Sequence, residues 1–349
     1  MKHFEPDYRH IVNAARNIPA ERLPLYEHLI STGHMEKILG YEFAGLIQGD
    51  FADKQAFFRA YCDFFKTMGY DTVSFECCIG AVMPGSGALG SHVDGAIKTR
   101  EDFDRYPWDE IPQRFWNAYK EQFDALASVM PDGMKAIGGP GNGIFECVQD
   151  ITGFEDLCYI KIDDPELYAD LFRQIGENNR LIWKQFLDRY SDLYCVMRFG
   201  DDLGFKSTTL LSADDIREHI VPAYKRIIDQ VHAKGRPFLL HSCGHIFNVM
   251  EDLIQVAGID AKHSNEDQIA RFPVWAEMYG DRIGNFGGID TDAVCQLDRP
   301  SMQAYIQDVL TRCEGRGGIA FGSGNSIPDY VPIEGYINMV ETVRTWRGE

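Results

Sequence analysis

The chain has 349 residues, with 34 Lys plus Arg against 53 Asp plus Glu, so its formal net charge is −19. Apolar residues make up 45% and charged residues 25%, the balance of a folded globular protein and not of a disordered one. So acidic a chain is no general binder of nucleic acid or of anionic membrane, since both need clustered Lys and Arg.

The first 22 residues precede any strand pattern and are expected to form helical caps. Met-Lys-His-Phe-Glu-Pro-Asp at the start has no apolar run of a leader. No stretch approaches the roughly 18 apolar residues of a membrane span, so the expectation is a cytoplasmic protein with no membrane partner. Eight short apolar runs then read as strands: Pro24–Leu29, Thr72–Cys77, Met134–Gly138, Leu193–Phe199, Pro237–His241, Ile259–His263, Ile283–Phe286 and Ile319–Gly322. Residues 80–112 form a long Gly-rich insertion after the second run. Amphipathic stretches alternate with the later runs: Asp164–Leu187, Asp214–Lys234, Ile246–Val256, Ser301–Cys313 and Ile333–Trp346. In the second of these, Ile216, Ile220, Tyr224, Ile227 and Val231 share one face. Ser212 with Asp215 suits its N-cap and Gly235 its C-cap. Alternation of this kind predicts an α/β fold with a parallel sheet, and eight strands predict one (β/α)8 TIM barrel over 1–349. An open doubly wound sheet is the alternative, but no G-x-G-x-x-G follows the first run.

Chemistry on a barrel gathers at the C-terminal ends of its strands. The sharpest signal there is His241-Ser-Cys243-Gly244. Residues i and i+2 of an extended chain share a face, so imidazole and thiolate converge, and that pairing suits zinc. His263 and Glu266 end the next run and are candidates for a third ligand. Glu76, Cys77 and Cys78 end the second run, Glu146 follows the third, and Asp201 and Asp202 follow the fourth. Each carboxylate alone could be a solvated loop residue or a helix cap. Their recurrence at successive strand ends favours a cation or proton traffic. After the last run, Ser323 and Asn325 are candidate substrate contacts. The nine cysteines are scattered and odd in number, so they read as thiols in a reducing compartment rather than a disulfide framework.

Collinear motifs carry a resemblance over almost the whole chain. They are Met35-Glu-Lys-Ile-Leu-Gly40, Ala88-Leu-Gly90, Gly138-Gly-Pro140, Phe199-Gly-Asp-Asp-Leu-Gly204, His241-Ser-Cys-Gly244, Phe286-Gly-Gly-Ile-Asp290, Gly322-Ser-Gly324 and Ile327-Pro-Asp-Tyr-Val-Pro332. The chain resembles the uroporphyrinogen decarboxylase superfamily, which includes the cobamide-dependent methyltransferases. That resemblance again implies a (β/α)8 barrel. The arginines with which true decarboxylases hold propionates are missing from Leu25–Thr32, and their essential Asp falls at Cys77. The methyltransferase branch is closer. Its zinc is held by His-x-Cys, matched by His241 and Cys243, plus a Cys in Gly-Cys-Gly, where this chain has Ser323.

Glu266 is the favoured substitute for that missing ligand, with His263, Glu76 and Glu146 as alternatives. The resemblance implies a zinc enzyme moving a methyl group from a small-molecule methyl donor, a methyl ether, to the Co(I) corrinoid of a corrinoid-binding partner protein. Glu146, Asp201 and Asp202 would be its catalytic carboxylates, with Glu76, Cys77, Ser323 and Asn325 at the substrate. A decarboxylase of uroporphyrinogen or a smaller acid, and a non-catalytic corrinoid or metabolite binder, are the alternatives. Homodimers are common for such barrels, though no exposed stripe in the sequence argues for one.

Overall fold

The computed structural model describes residues 4–90 and 93–349. Seven parallel strands pair in sequence order: β1 (Thr72–Cys78), β2 (Lys135–Gly141), β3 (Tyr194–Gly200), β4 (Phe238–His241), β5 (Ala261–His263), β6 (Gly284–Ile289) and β7 (Ile319–Ser323). Helices separate most of them, and the sheet curls into a barrel-like α/β architecture. Its strands read as continuous apolar runs because both faces are covered; all seven residues of β3 are buried.

The expected first strand, Pro24–Leu29, is not a ladder. It is an extended segment with isolated parallel bridges, Leu25 to Phe321 and Ile30 to Ile327. Tyr26 N–H donates to the Phe321 carbonyl and Phe321 N–H to that of Pro24, each at 2.9 Å. Toward β1 the contact is made by side chains. The Ser74 hydroxyl donates to the His28 carbonyl at 2.6 Å, and Arg198 Nη1 does so at 3.2 Å. That carbonyl is therefore satisfied without a β1 amide. The segment stands where an eighth strand would close the barrel.

The N-terminal extension contributes the helix Arg9–Ala15, whose Ile11, Ala14 and Ala15 pack with Ile137, Val196, Leu239, Phe286 and Ala320 of the strands. Met1–His3 and, in the insertion, Ser91–His92 lie outside the described residues. The rest of the insertion is a set of short helical turns: Gly80–Val82, Ala88–Gly90, Arg100–Arg105 and Trp108–Glu110. Asp150 anchors it by accepting from the amides of Gly87 and Leu89.

Four of the expected helices form as helical runs, with Pro165–Tyr190, Arg299–Cys313 and Ile333–Trp346 close to their predicted limits. The fourth runs from Ala213 to Ala233 and widens to a π turn over Ile216–Ile220, just before Pro222, which has no N–H to donate. Ser212 Oγ accepts from the Asp215 amide at 3.1 Å, as expected of a cap. Ile246–Val256 differs. Only Met250–Asp252 is α-helical, continuing into a π turn over Leu253–Ala257. The residues before it are drawn to the β3 loop, where His245 N–H donates to the Phe205 carbonyl.

Candidate metal centre

Strand β4 ends in His241 and delivers Cys243 two residues on. Gly244 then turns with φ +82°, and a Cβ there would fall 2.3 Å from the backbone of Gly204. This close approach brings the β3 loop, and so Asp202, beside the pair. Cys243 N–H donates to Asp202 Oδ1 at 2.9 Å, Cys243 Sγ lies 3.4 Å from His241 Nε2, and Asp202 Oδ1 lies 3.8 Å from the same nitrogen.

Hydrogen bonds determine which imidazole nitrogen is bare. His263 Nε2 meets the Ser323 carbonyl at 3.0 Å, and a carbonyl only accepts, so this nitrogen carries the proton. Burial pushes the His263 pKa down to about 3, so the ring is neutral and its Nδ1 is an acceptor. The 2.7 Å contact between His241 Nδ1 and His263 Nδ1 is therefore donated by His241. The Nε2 lone pair of His241 is left facing Cys243 and Asp202. Asn325 Nδ2 and Ser264 Oγ also point at the sulfur, at 3.4 and 3.5 Å.

Potential donor atoms of Asp202, His241 and Cys243 lie within 4.8 Å of one another. A tetrahedral zinc with bonds of 2.0–2.3 Å would hold its donors about 3.3–3.6 Å apart, so the trio needs only small adjustments to fit. The ring nitrogens of His28, His241 and His263 also lie within 4.8 Å, but two of these rings already bond each other. His28 stacks on His241 with centroids 3.8 Å apart, and its Nε2 is 3.8 Å from Glu76 Oε1.

Several expected site residues take other places. His263 engages both ring nitrogens and so orients His241. Glu266 is carried past Ser264 and Asn265 to a cleft at the rim, outside the trio of donors. The third donor of the trio is Asp202, whose position one residue past Asp201 was visible in the sequence, though not its reach to β4. Cys77 faces the helix layer, with Sγ 3.7 Å from Gln122, because the strand's period of two puts Glu76 and not Cys77 toward the barrel interior. Ser323 is buried: its N–H donates to Glu27 Oε1 at 3.0 Å and its hydroxyl bonds Glu27 Oε2. Burial raises the Glu27 pKa to about 8.

Asp201 is buried and accepts from the amides of Phe145 (3.0 Å) and Glu146 (2.8 Å) and from the Tyr224 hydroxyl. Burial lifts its pKa to about 6 even so. Glu146 accepts from Asn142 Nδ2 at 2.8 Å and from Asp202 N–H at 3.2 Å. Burial, with the charges of Asp201 and Asp202, holds its carboxyl well above the ordinary range.

Sequence reasoning missed Glu27, His28 and Arg198. Arg198, fully buried in β3, binds Glu76 Oε2 through Nε (3.1 Å) and Nη2 (2.8 Å), and gives Nη1 to Tyr26, Ser74 and the His28 carbonyl. Its signal was an arginine inside the otherwise apolar run Tyr194–Gly200.

The fold has solved counterparts. A methyltransferase from Methanosarcina mazei superposes with a TM-score of 0.71 at 14% identity, over 98% of this chain and 99% of that one. A Listeria monocytogenes protein described as a vitamin-B12-independent methionine synthase gives 0.51 at 13% identity, over 94% and 98%. No curated protein matches. The uroporphyrinogen decarboxylase family matches residues 58–346, through the strands and loops that assemble this centre. The chain belongs to the uroporphyrinogen decarboxylase family.

Proposed function

We propose that the protein is a zinc-dependent methyltransferase that moves a methyl group from a small methyl ether to the Co(I) corrinoid of a partner protein. The observation that carries this reading is the bare Nε2 of His241, aimed by His263 at a thiol and a carboxylate. Such a donor set suits zinc, and the likeness in fold to a methyltransferase agrees with it. The thiols of all nine cysteines suit a reducing cytoplasm.

Zinc held by one nitrogen, one sulfur and one oxygen supplies a Lewis acid for an ether oxygen. The protein's own groups do the rest. Ser323 and His263 fix the His241 ring, while Asn325 and Ser264 hold the sulfur. In the transfer, the methyl carbon–oxygen bond breaks and its electron pair stays on oxygen. A Co(I) corrinoid on the partner would supply the electron pair for the new bond to carbon, and the released oxygen would take up a proton. Glu146, whose carboxyl is held above its ordinary range by burial and by the charges of Asp201 and Asp202, is the group placed to give that proton.

Decarboxylation of a polycarboxylate porphyrinogen fits less well. Arg198, the buried arginine at the strand ends, is already committed to Glu76, and the Asp202 carboxylate beside His241 and Cys243 would repel carboxylates.

Zinc analysis tests the reading. Wild-type protein should hold roughly one zinc per chain, and His241→Ala, Cys243→Ala and Asp202→Ala should each lower zinc affinity about 100-fold or more. Unchanged zinc binding in all three folded variants would remove the site.

A further inference from the structure

Beside Cys243 lies a cleft of about 200 Å³, smaller than the roughly 300–1,000 Å³ of a drug-sized pocket. It joins the metal-donor trio through Asn325, which lines the cleft and donates to Cys243 Sγ. Asn265 lines it too and is only 3% exposed. Asn265 and His263 both lie beside Gly287, where a Cβ would fall 2.5 Å from Asn265 Oδ1 and 3.5 Å from His263 Cδ2. Its Oδ1 accepts from Gly288 N–H at 3.0 Å, but Nδ2 has no hydrogen-bond partner among the described residues. Thr291 also lines the cleft, and its buried hydroxyl has no partner among the described residues either. A buried donor without an acceptor is unfavourable, and a ligand oxygen would relieve it.

The remaining wall is acidic. Asp290 already accepts the amides of Asp267 and Asp292, which leaves Glu266 and Asp292 to face a ligand. Lys206 bonds Gln268 at the edge. Among the described residues no aliphatic side chain lines the cleft. Its one aromatic residue, Tyr330, is 76% exposed and makes no enclosed wall for a ring.

We infer that the methyl donor is a short aliphatic ether bearing a hydroxyl or ammonium group, recognised through its oxygens by Asn265 and Thr291 and through its donor group by Glu266 and Asp292. The inference rests on the methyltransferase reading, but its test separates the two. Zinc-loaded wild-type protein is titrated calorimetrically with 2-methoxyethanol, 2-methoxyethylamine and the aryl ether guaiacol. The two aliphatic ethers should saturate, with guaiacol about tenfold weaker or worse. If only the amine or only the alcohol binds, the result assigns the donor group within the same class. Asn265→Asp keeps the acceptor for Gly288 and loses the Nδ2 donor, and Thr291→Val removes the hydroxyl at constant shape. Each should weaken 2-methoxyethanol about tenfold with zinc content unchanged. Guaiacol binding as well as the aliphatic ethers, no saturation by either aliphatic ether, or both variants binding like wild type would overturn the inference while zinc is still held. Failure of wild type to hold zinc would instead overturn the reading beneath it.

Discussion

Glu27 has a carboxyl surrounded by protein, with Ser323 as its hydrogen-bond partner. Its folded pKa is raised from 4.5 to about 8, so between those values the native state keeps a proton that the unfolded chain has lost. The favourable contribution is complete below the unfolded value and is lost as pH rises through the folded one. Stability of the wild type should therefore fall between about pH 5 and pH 8, by on the order of a few kcal/mol from this group. Glu27→Gln mimics the neutral acid, accepting from Ser323 N–H and donating to its hydroxyl. Urea midpoints measured across that range should show a flatter profile for the variant. A wild-type profile parallel to that of Glu27→Gln would mean that Glu27 is ionised in the native state. Glu27 was not legible as a site residue because its partner lies 296 positions away. His241 and Cys243 were legible because their convergence needs only the two-residue period of one strand. Asp202 fell between these cases: its residue type was informative, but its contact with β4 depends on how two loops cross.

Among the elements, the helix Ile144–Thr152 shows how a carboxylate at a strand end can be structural. Its N-terminal amides are satisfied by Asp201 from the neighbouring strand end, and Gly143 leaves the room, since a Cβ there would lie 2.3 Å from Asp201. Asp201→Ala deletes both amide bonds and strands the buried Tyr224 hydroxyl. A loss of about 2–4 kcal/mol in chemical denaturation is expected, with zinc affinity changed little. Equal loss of zinc in folded Asp201→Ala and Asp202→Ala would make Asp201 part of the centre itself. Strand positions were readable from short apolar runs ending in Gly, His or acid, and helices with a clean apolar face kept nearly their expected limits. The segment after Cys243 was not, because His245 and its neighbours bond the β3 loop in place of their own helix. Pro24–Leu29 has strand-like composition, yet side chains from β1 and β3 satisfy its carbonyl at His28.

Across the whole molecule, Arg198 pins the closing segment to β1 and β3 through Tyr26, the His28 carbonyl, Ser74 and Glu76. Arg198→Met leaves Glu76 buried without its partner and should cost about 3–5 kcal/mol. Adding Glu76→Gln should recover part of that loss in the same denaturation assay, which would separate the stranded charge from lost packing. The closing segment has a further consequence during protein synthesis. Pro24–Ile30 emerges from the ribosome long before Phe321 and Ile327, its only bridged neighbours among the described residues. Until β7 is made, the nascent sheet has two open edges, and the Ser323 carbonyl that fixes the tautomer of His241 through His263 does not yet exist. The donors are thus oriented only when the barrel closes, and the emerging chain must make β7 before it presents a finished site for an ion.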